Sequence, residues 1–209
     1  MAKIRMTHRV ERGDQRDNIL NAAERVFARN GSAATMAEVA SDAGVSQGLA
    51  YRYFASKEEI LATLVKRAAK SGGGPAERIN KIRGTPTQRL ALLISYIVQD
   101  RRERPEFNRF LYQVLADENV PTELRNLVRK NGRVIQEIIR KLIIEGQAEG
   151  EIAKDDPEQL LQALMACVDG LVRRAELFGR NGMNEHYPEA KIFLRMLRPD
   201  AREGGANPR

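Results

Sequence analysis

The sequence predicts an all-α protein, with a three-helix helix-turn-helix domain at the N-terminus and a larger helical domain behind it. Three observations carry that prediction. Apolar residues recur at three- and four-residue spacing along most of the chain. No segment alternates convincingly with period two. Helix starts are marked by Ser or Thr with Glu or Gln three positions on.

Asp14 is placed to cap the first helix, in which Ile19, Ala23 and Phe27 recur every fourth residue and Leu20 and Val26 broaden the stripe until Gly31 ends it. Thr35 and Glu38 form a capping box for a short second helix with Val39 and Ala40 on its apolar face, and Gly44 terminates it. Ser46 starts a third helix running to about Phe54. Ser56 and Glu59 cap a fourth, carrying Ile60, Leu61, Leu64, Val65 and Ala68. The run SGGGP, Ser71 to Pro75, is expected to break the chain, giving an N-terminal domain over 1–71, a C-terminal domain over 72–198 and a disordered tail over 199–209.

Beyond that break the helices lengthen. Thr85, Pro86 and Gln88 supply a cap, an N1 proline and a capping partner for a helix with Leu90, Leu93, Ile94, Ile97 and Val98. Pro105 opens a shorter helix with Phe107, Phe110, Leu111 and Leu115. A long one runs from about Pro121 to Gln147. Asp156 and Pro157 start another, which Gly179 ends, and a last one is expected near Pro188 to Leu197, with His186 and Tyr187 at its start. The helix after Pro157 is apolar over most of its circumference and must be covered on both sides. Internal core is one reading of that cover. The preferred one is a two-helix face formed by Leu164, Val168, Leu171, Val172, Ile192, Phe193 and Met196, pairing with a second copy into a four-helix bundle.

The net charge of +7 is unevenly spread: residues 1–71 carry twelve Lys/Arg against eight Asp/Glu, so the excess is denser there and an anionic partner is expected at that end. No apolar run reaches the roughly 18 residues of a membrane span, and no secretory signal follows the first basic residues, so a cytoplasmic location without membrane contact is expected. The single cysteine, Cys167, has no internal partner for a disulfide, and two histidines beside it leave few ligands for a metal; no metal or cofactor is expected.

The stretch GVSQGLAYRYFASKEEI, residues 44–60, crowds three aromatic rings into a chain that is only 5% aromatic. At about 100° per residue, Ala50 and Phe54 stack on one face, assigned to the core, and Arg52 points the opposite way with Tyr51 and Tyr53 flanking it. A helix entering a major groove needs such an outward edge for bases and two flanks for phosphate walls. Gln47 and Gly48, in the first turn, are placed to meet base edges, and Leu49 to touch a thymine methyl. Lys57 and Thr35, each at a helix start, are placed to meet phosphates. Taken singly, each has an ordinary alternative: Leu49 and Tyr53 as part of the core, Lys57 as a surface lysine, Thr35 as a cap only.

The block from Arg16 to about Val65, with AAERVFARNG, ATMAEVASDAGVSQGLAYRYF and SKEEIL, resembles the DNA-binding domain of the TetR family of transcriptional regulators. That resemblance implies operator contacts at Thr35, Ser46, Gln47, Gly48, Tyr51, Arg52, Tyr53 and Lys57. Ala50 departs from the leucine common in the family. A weaker similarity to the family's dimerisation region continues through IIEGQAEGEI and DPEQLLQALMACVDGLV. The resemblance further implies a homodimer on double-stranded operator DNA, a small-molecule effector held in the C-terminal domain, and repression relieved by that effector. Phe107, Phe110, Tyr112, Met165, Cys167 and Asp169 are the candidates to line the effector pocket, with plain core packing as the alternative. Arg101, Arg102 and Arg104 form a basic run that is either solvated or anion-binding. An enzyme is disfavoured, because no nucleophile-base pairing, metal-ligand spacing or phosphate loop is present. A ligand-independent architectural DNA binder is the remaining alternative, and the long C-terminal domain argues against it.

Overall fold

The computed structural model of the chain describes residues 2–79, 81–178 and 187–199, and its regular elements are all helical. In order they are α1 (Ala2–Asn30), α2 (Met36–Asp42), α3 (Gln47–Tyr53), α4 (Lys57–Ile79), α5 (Pro86–Glu103), α6 (Pro105–Ala116), α7 (Thr122–Ala148), α8 (Pro157–Phe178) and α9 (Ala190–Leu194). Short 3-10 turns occupy Gly31–Ala33 and Arg195–Leu197. Among the described residues there is no strand, and no helix is long and apolar enough to cross a membrane. Gly179, His186 and residues 200–209 lie outside the described residues, and with them the expected end of the helix after Pro157 and most of the expected tail.

The caps form where local chemistry places them. At α2 the Thr35 side chain accepts from the Glu38 N–H while the Glu38 carboxylate accepts from the Thr35 N–H at 2.8 Å. Thr85 and Gln88 repeat that box at α5, with Pro86 inside the first turn. The box at α4 is shifted: Ser56 accepts from the Glu59 N–H, but the Glu59 carboxylate reaches one residue further back, to the N–H of Ala55 at 2.7 Å.

Three expectations are corrected. Asp14 does not cap α1, which runs unbroken from Ala2; the preceding residues are mostly good helix formers, and a lone Gly13 costs only about 1 kcal/mol against alanine. The SGGGP run does not break the chain, since α4 passes through it to Ile79. Burial of Ile60, Leu64 and Val65 near one end of α4 and of Ile79 at the other anchors the helix on both sides of its weakest residues. The last helix is shorter than Pro188–Leu197: it tightens into the 3-10 turn at Arg195, where the Leu197 carbonyl accepts from the Ala153 N–H at 2.9 Å.

The chain divides into two compact units, one of Met1–Ser71 with Glu106–Lys130, the other of Gly72–Pro105 with Asn131–Arg209. The expected single cut at residue 71 is therefore joined by two more. The reason is α6, which buries Phe107, Phe110 and Val114 with Phe27, Leu61 and Leu64 in one core; the Phe27 and Phe110 rings meet edge-on with centroids 6.3 Å apart. The second unit has its own core, built from Leu90, Ile94 and Ile97 of α5, Ile139, Leu142 and Ile143 of α7, Leu161, Leu164 and Val168 of α8, and Phe193 of α9. Gly146 fits this core because Ile152 folds back over it: a Cβ at Gly146 would lie 2.6 Å from the Ile152 Cδ1 atom.

Candidate nucleic-acid interface

The turn between α2 and α3 is closed by main-chain bonds. The Val45 N–H donates to the Ala40 carbonyl at 3.0 Å, and Gly44 adopts φ 66°, a left-handed conformation that side chains disfavour. Asn18 of α1 fixes the turn from outside, its amide nitrogen donating to the Ala43 carbonyl at 2.9 Å. Asp42, at the end of α2, accepts from Arg25 and from Arg29, both at 2.9 Å, and so ties α2 to α1. The Ser46 hydroxyl then caps α3 by accepting from the Leu49 N–H at 3.2 Å.

On α3 the side chains sort as helical geometry requires. Ala50 and Phe54 are buried, at 0% and 1% exposure, and the Arg16 guanidinium lies over the Phe54 ring at 4.6 Å. Ser46, Gln47, Gly48, Tyr51 and Arg52 are exposed, Tyr51 at 48%, whereas Leu49 and Tyr53 are half-buried. Tyr53 also packs against the first core. A Cβ at Gly48 would meet nothing within 4 Å, so nothing inside the protein calls for a glycine there.

The two helix-start residues differ from the sequence expectation. The Thr35 hydroxyl both accepts from the Glu38 N–H and donates to the Glu38 carboxylate at 2.9 Å, so its proton is committed to the cap. At α4 the Ser56 hydroxyl takes one first-turn donor, the Glu59 N–H, while the Glu59 carboxylate takes the Ala55 N–H just before the helix. Lys57 offers its charge. Its ammonium donates to the Ser32 carbonyl at 2.7 Å, which engages one of three protons.

Carboxylates brace this region, and several are held below their ordinary values. The Thr35 N–H and hydroxyl lower Glu38. Burial raises Asp42, but hydrogen bonds from Arg29 and Arg25 outweigh it and the net shift is downward. Ser32 above all, and Asn119, lower Asp117. A group depressed on folding contributes stability that is complete above its unfolded value, about 4, and is lost as pH falls through the lower folded value. Melting of the first unit is expected to be level between pH 7 and about 5 and to drop steeply below about 4. A melting temperature unchanged at pH 3 would remove these carboxylates from the account.

The other candidates are not brought together. Phe107 and Phe110 are buried in the core of the first unit and Tyr112 is exposed on α6. Met165 packs against the second core, Asp169 pairs with Arg101 at 3.4 Å, and Cys167 is exposed, so plain core packing does not describe it. The first three belong to the first unit and the last three to the second. The second unit has a cleft of about 490 Å³ elsewhere, along α5 and α9, lined by Ala91, Ser95, Gln99, Arg102, Lys191 and Leu194 among others. Arg102, from the basic run, also lies 5.8 Å from the Tyr187 ring centroid. The Tyr187 phenol, pushed up to about 12 by burial, stays protonated. Of the seven residues placed on a dimer face, Leu164, Val168, Leu171, Val172 and Phe193 are buried within the single chain, so they are internal core; Ile192 and Met196 are exposed. Helical period identified an apolar face but not what covers it.

Comparison with known proteins agrees with this geometry. Residues 19–64 match the family model of bacterial regulatory proteins, tetR family, and residues 86–186 match that of the BetI-type transcriptional repressor, C-terminal. The chain is 29% identical over 164 residues to the HTH-type transcriptional regulator BetI of Rhizobium meliloti, covering 78% of each. It is 28% identical over 155 residues to the HTH-type transcriptional repressor NicS of Pseudomonas putida, covering 71% of this chain and 70% of that one. The crystal structure of the MbdR regulator from Azoarcus sp. CIB shares the fold, with a TM-score of 0.75 over 88% of this chain and 98% of that one at 23% identity. These relatives are named as regulators, not as enzymes. With two family models spanning the DNA-reading helices and most of the region behind them, the chain belongs to the TetR family of DNA-binding transcriptional regulators.

Proposed function

We propose that this regulator is a cytoplasmic homodimeric repressor that grips a near-palindromic operator with α3 and is released by a small-molecule effector. The observation that carries the reading is the outward side of α3, where Gln47, Gly48, Tyr51 and Arg52 stand exposed with no internal task. In this reading Gln47, Gly48 and Arg52 meet base edges and Leu49 a thymine methyl. Ser46, Tyr51, Tyr53 and Lys57 hold the phosphate walls, and Thr35 supports them as a cap. The first unit is the DNA-reading part; the second carries the effector site and the dimer face.

For the dimer, the exposed apolar groups Leu177, Ile192 and Met196 and the outward small residues Ala163, Ala166 and Cys167 of α8 replace the buried set the sequence suggested. The cleft along α5 and α9 has the size of a small-molecule site, and its charged Arg102, Glu103, Glu189 and Lys191 beside Ala91 and Leu194 suit a ligand with both polar and apolar parts. An effector shifts DNA occupancy only as far as its affinities for the two states differ. The test combines three readings on the full chain: solution mass, binding to a duplex selected from random DNA, and that binding during a titration of candidate effectors. A dimeric mass, selective duplex binding and release by one effector class are expected. A monomer bound to DNA would remove the dimer, and affinity unchanged by every compound that raises the melting temperature would remove ligand release.

A further inference from the structure

We propose that Asp117, in the turn between α6 and α7, is a positioning residue for DNA contact, because it holds the 3-10 turn on which Lys57 is anchored. The inference rests on the reading of Lys57 as a phosphate contact. Asp117 divides its carboxylate between two tasks. One oxygen accepts from the N–H of Asn119 at 2.9 Å and from its side-chain amide at 3.1 Å, which closes its own turn. The other oxygen reaches across 85 residues of sequence to accept from the Ser32 N–H at 3.0 Å.

Ser32 is thereby gripped at both main-chain groups, since its carbonyl accepts the Lys57 ammonium at 2.7 Å. The turn is close against α6 as well: a Cβ at Gly31, where φ is 55°, would stand 3.5 Å from the Gln113 side-chain oxygen and 3.6 Å from the Asp117 carboxylate. Local turn closure needs only the first oxygen. The second gives the Ser32 N–H a charged acceptor, and charge-assisted hydrogen bonds are the stronger kind. Hydrogen bonds to Ser32 and Asn119 keep the carboxyl ionised at neutral pH, so it acts as an acceptor only. A free lysine chain is long and mobile, and ordering it when DNA arrives counts against affinity. Anchoring the ammonium on the Ser32 carbonyl restricts it beforehand, and two of its protons are left over from that bond.

The test measures salt-dependent binding of a duplex selected by the wild-type protein, and of its scrambled counterpart, for the wild type, Lys57→Ala, Asp117→Ala, the double variant and Asp117→Asn. Lys57→Ala is expected to weaken both duplexes about 3- to 10-fold and to lower the salt slope by about 0.9, the loss of one phosphate contact. Asp117→Ala is expected to do part of the same, also lowering the slope, and to add nothing in the Lys57→Ala background. If Asp117→Ala lowers the melting temperature below the working range, Asp117→Asn, which keeps an acceptor oxygen and the shape, replaces it and should bind more weakly than the wild type with the same loss of slope. An unchanged slope, or losses that multiply with those of Lys57→Ala, overturns the inference while leaving the Lys57 contact intact. An unchanged affinity and slope for Lys57→Ala overturns the phosphate reading itself, and the inference with it.

Discussion

Truncating Phe54 to alanine is expected to lower the stability of the first unit by about 3–5 kcal/mol and to abolish DNA binding, although Phe54 is on the buried side of α3. The ring is 1% exposed at the C-terminal end of α3, inside a core shared by α1, α2, α4 and α6. Its loss removes the transfer free energy of the ring, leaves a cavity that Ala50 is too small to fill, and strands the Arg16 guanidinium that lies 4.6 Å from the ring centroid. A domain with about 5–15 kcal/mol in total cannot absorb that without a large unfolded fraction. Arg52→Ala is the matched control two positions away. Arg52 is exposed, so its removal should change stability by no more than about 0.5 kcal/mol while still weakening DNA binding. Melting followed by circular dichroism beside duplex binding separates the two. A Phe54→Ala protein that melts like the wild type would put α3 in the wrong orientation.

The second large effect concerns choice of sequence rather than strength of binding. Gln47 opens α3, exposed, one residue after the Ser46 cap and beside a glycine with open space around it. A glutamine amide can both accept from and donate to an adenine edge, and one such bidentate pair is worth about 1–3 kcal/mol of discrimination, on the order of 5- to 150-fold. Gln47→Ala is therefore expected to lose most of the wild type's preference for the selected duplex over one changed at a single base pair, while affinity for scrambled DNA stays within about twofold. Comparing the two proteins on that set of single-pair changes checks it. A uniform loss on every duplex would make Gln47 a backbone contact instead.

What the sequence made legible was local. Thr35 with Glu38, Thr85 with Gln88 and the Ser46 cap each act over three residues, and each is found as expected. The inward Ala50 and Phe54 and the outward Arg52 followed from helical period alone. The misreadings had two sources. Asp14 and SGGGP are local signals overridden, one by helix-forming neighbours and the other by burial on both sides of the weak stretch. The pocket and dimer sets show a different limit: Phe110 and Leu164 have the period of a covered face, and only the fold tells that α6 packs in the first unit and that α8 buries Leu164 and Val168 within the chain. The contacts that hold the α2–α3 region and its neighbouring turn, Asn18 to Ala43, Arg25 to Asp42, Lys57 to Ser32 and Ser32 to Asp117, join residues 17 to 85 positions apart and left no mark in any motif.

Selecting bound fragments from random DNA, then measuring the selected and scrambled duplexes across a salt series, decides whether the exposed side of α3 reads a specific operator on behalf of a dimer. The expected result is a near-palindrome with half-site centres about 34–36 Å apart, one DNA turn or a multiple of it. A preference of about 10³-fold or more over scrambled DNA is expected too, with affinities for both that fall as salt rises. Equal affinity for selected and scrambled duplexes at every salt concentration would contradict it.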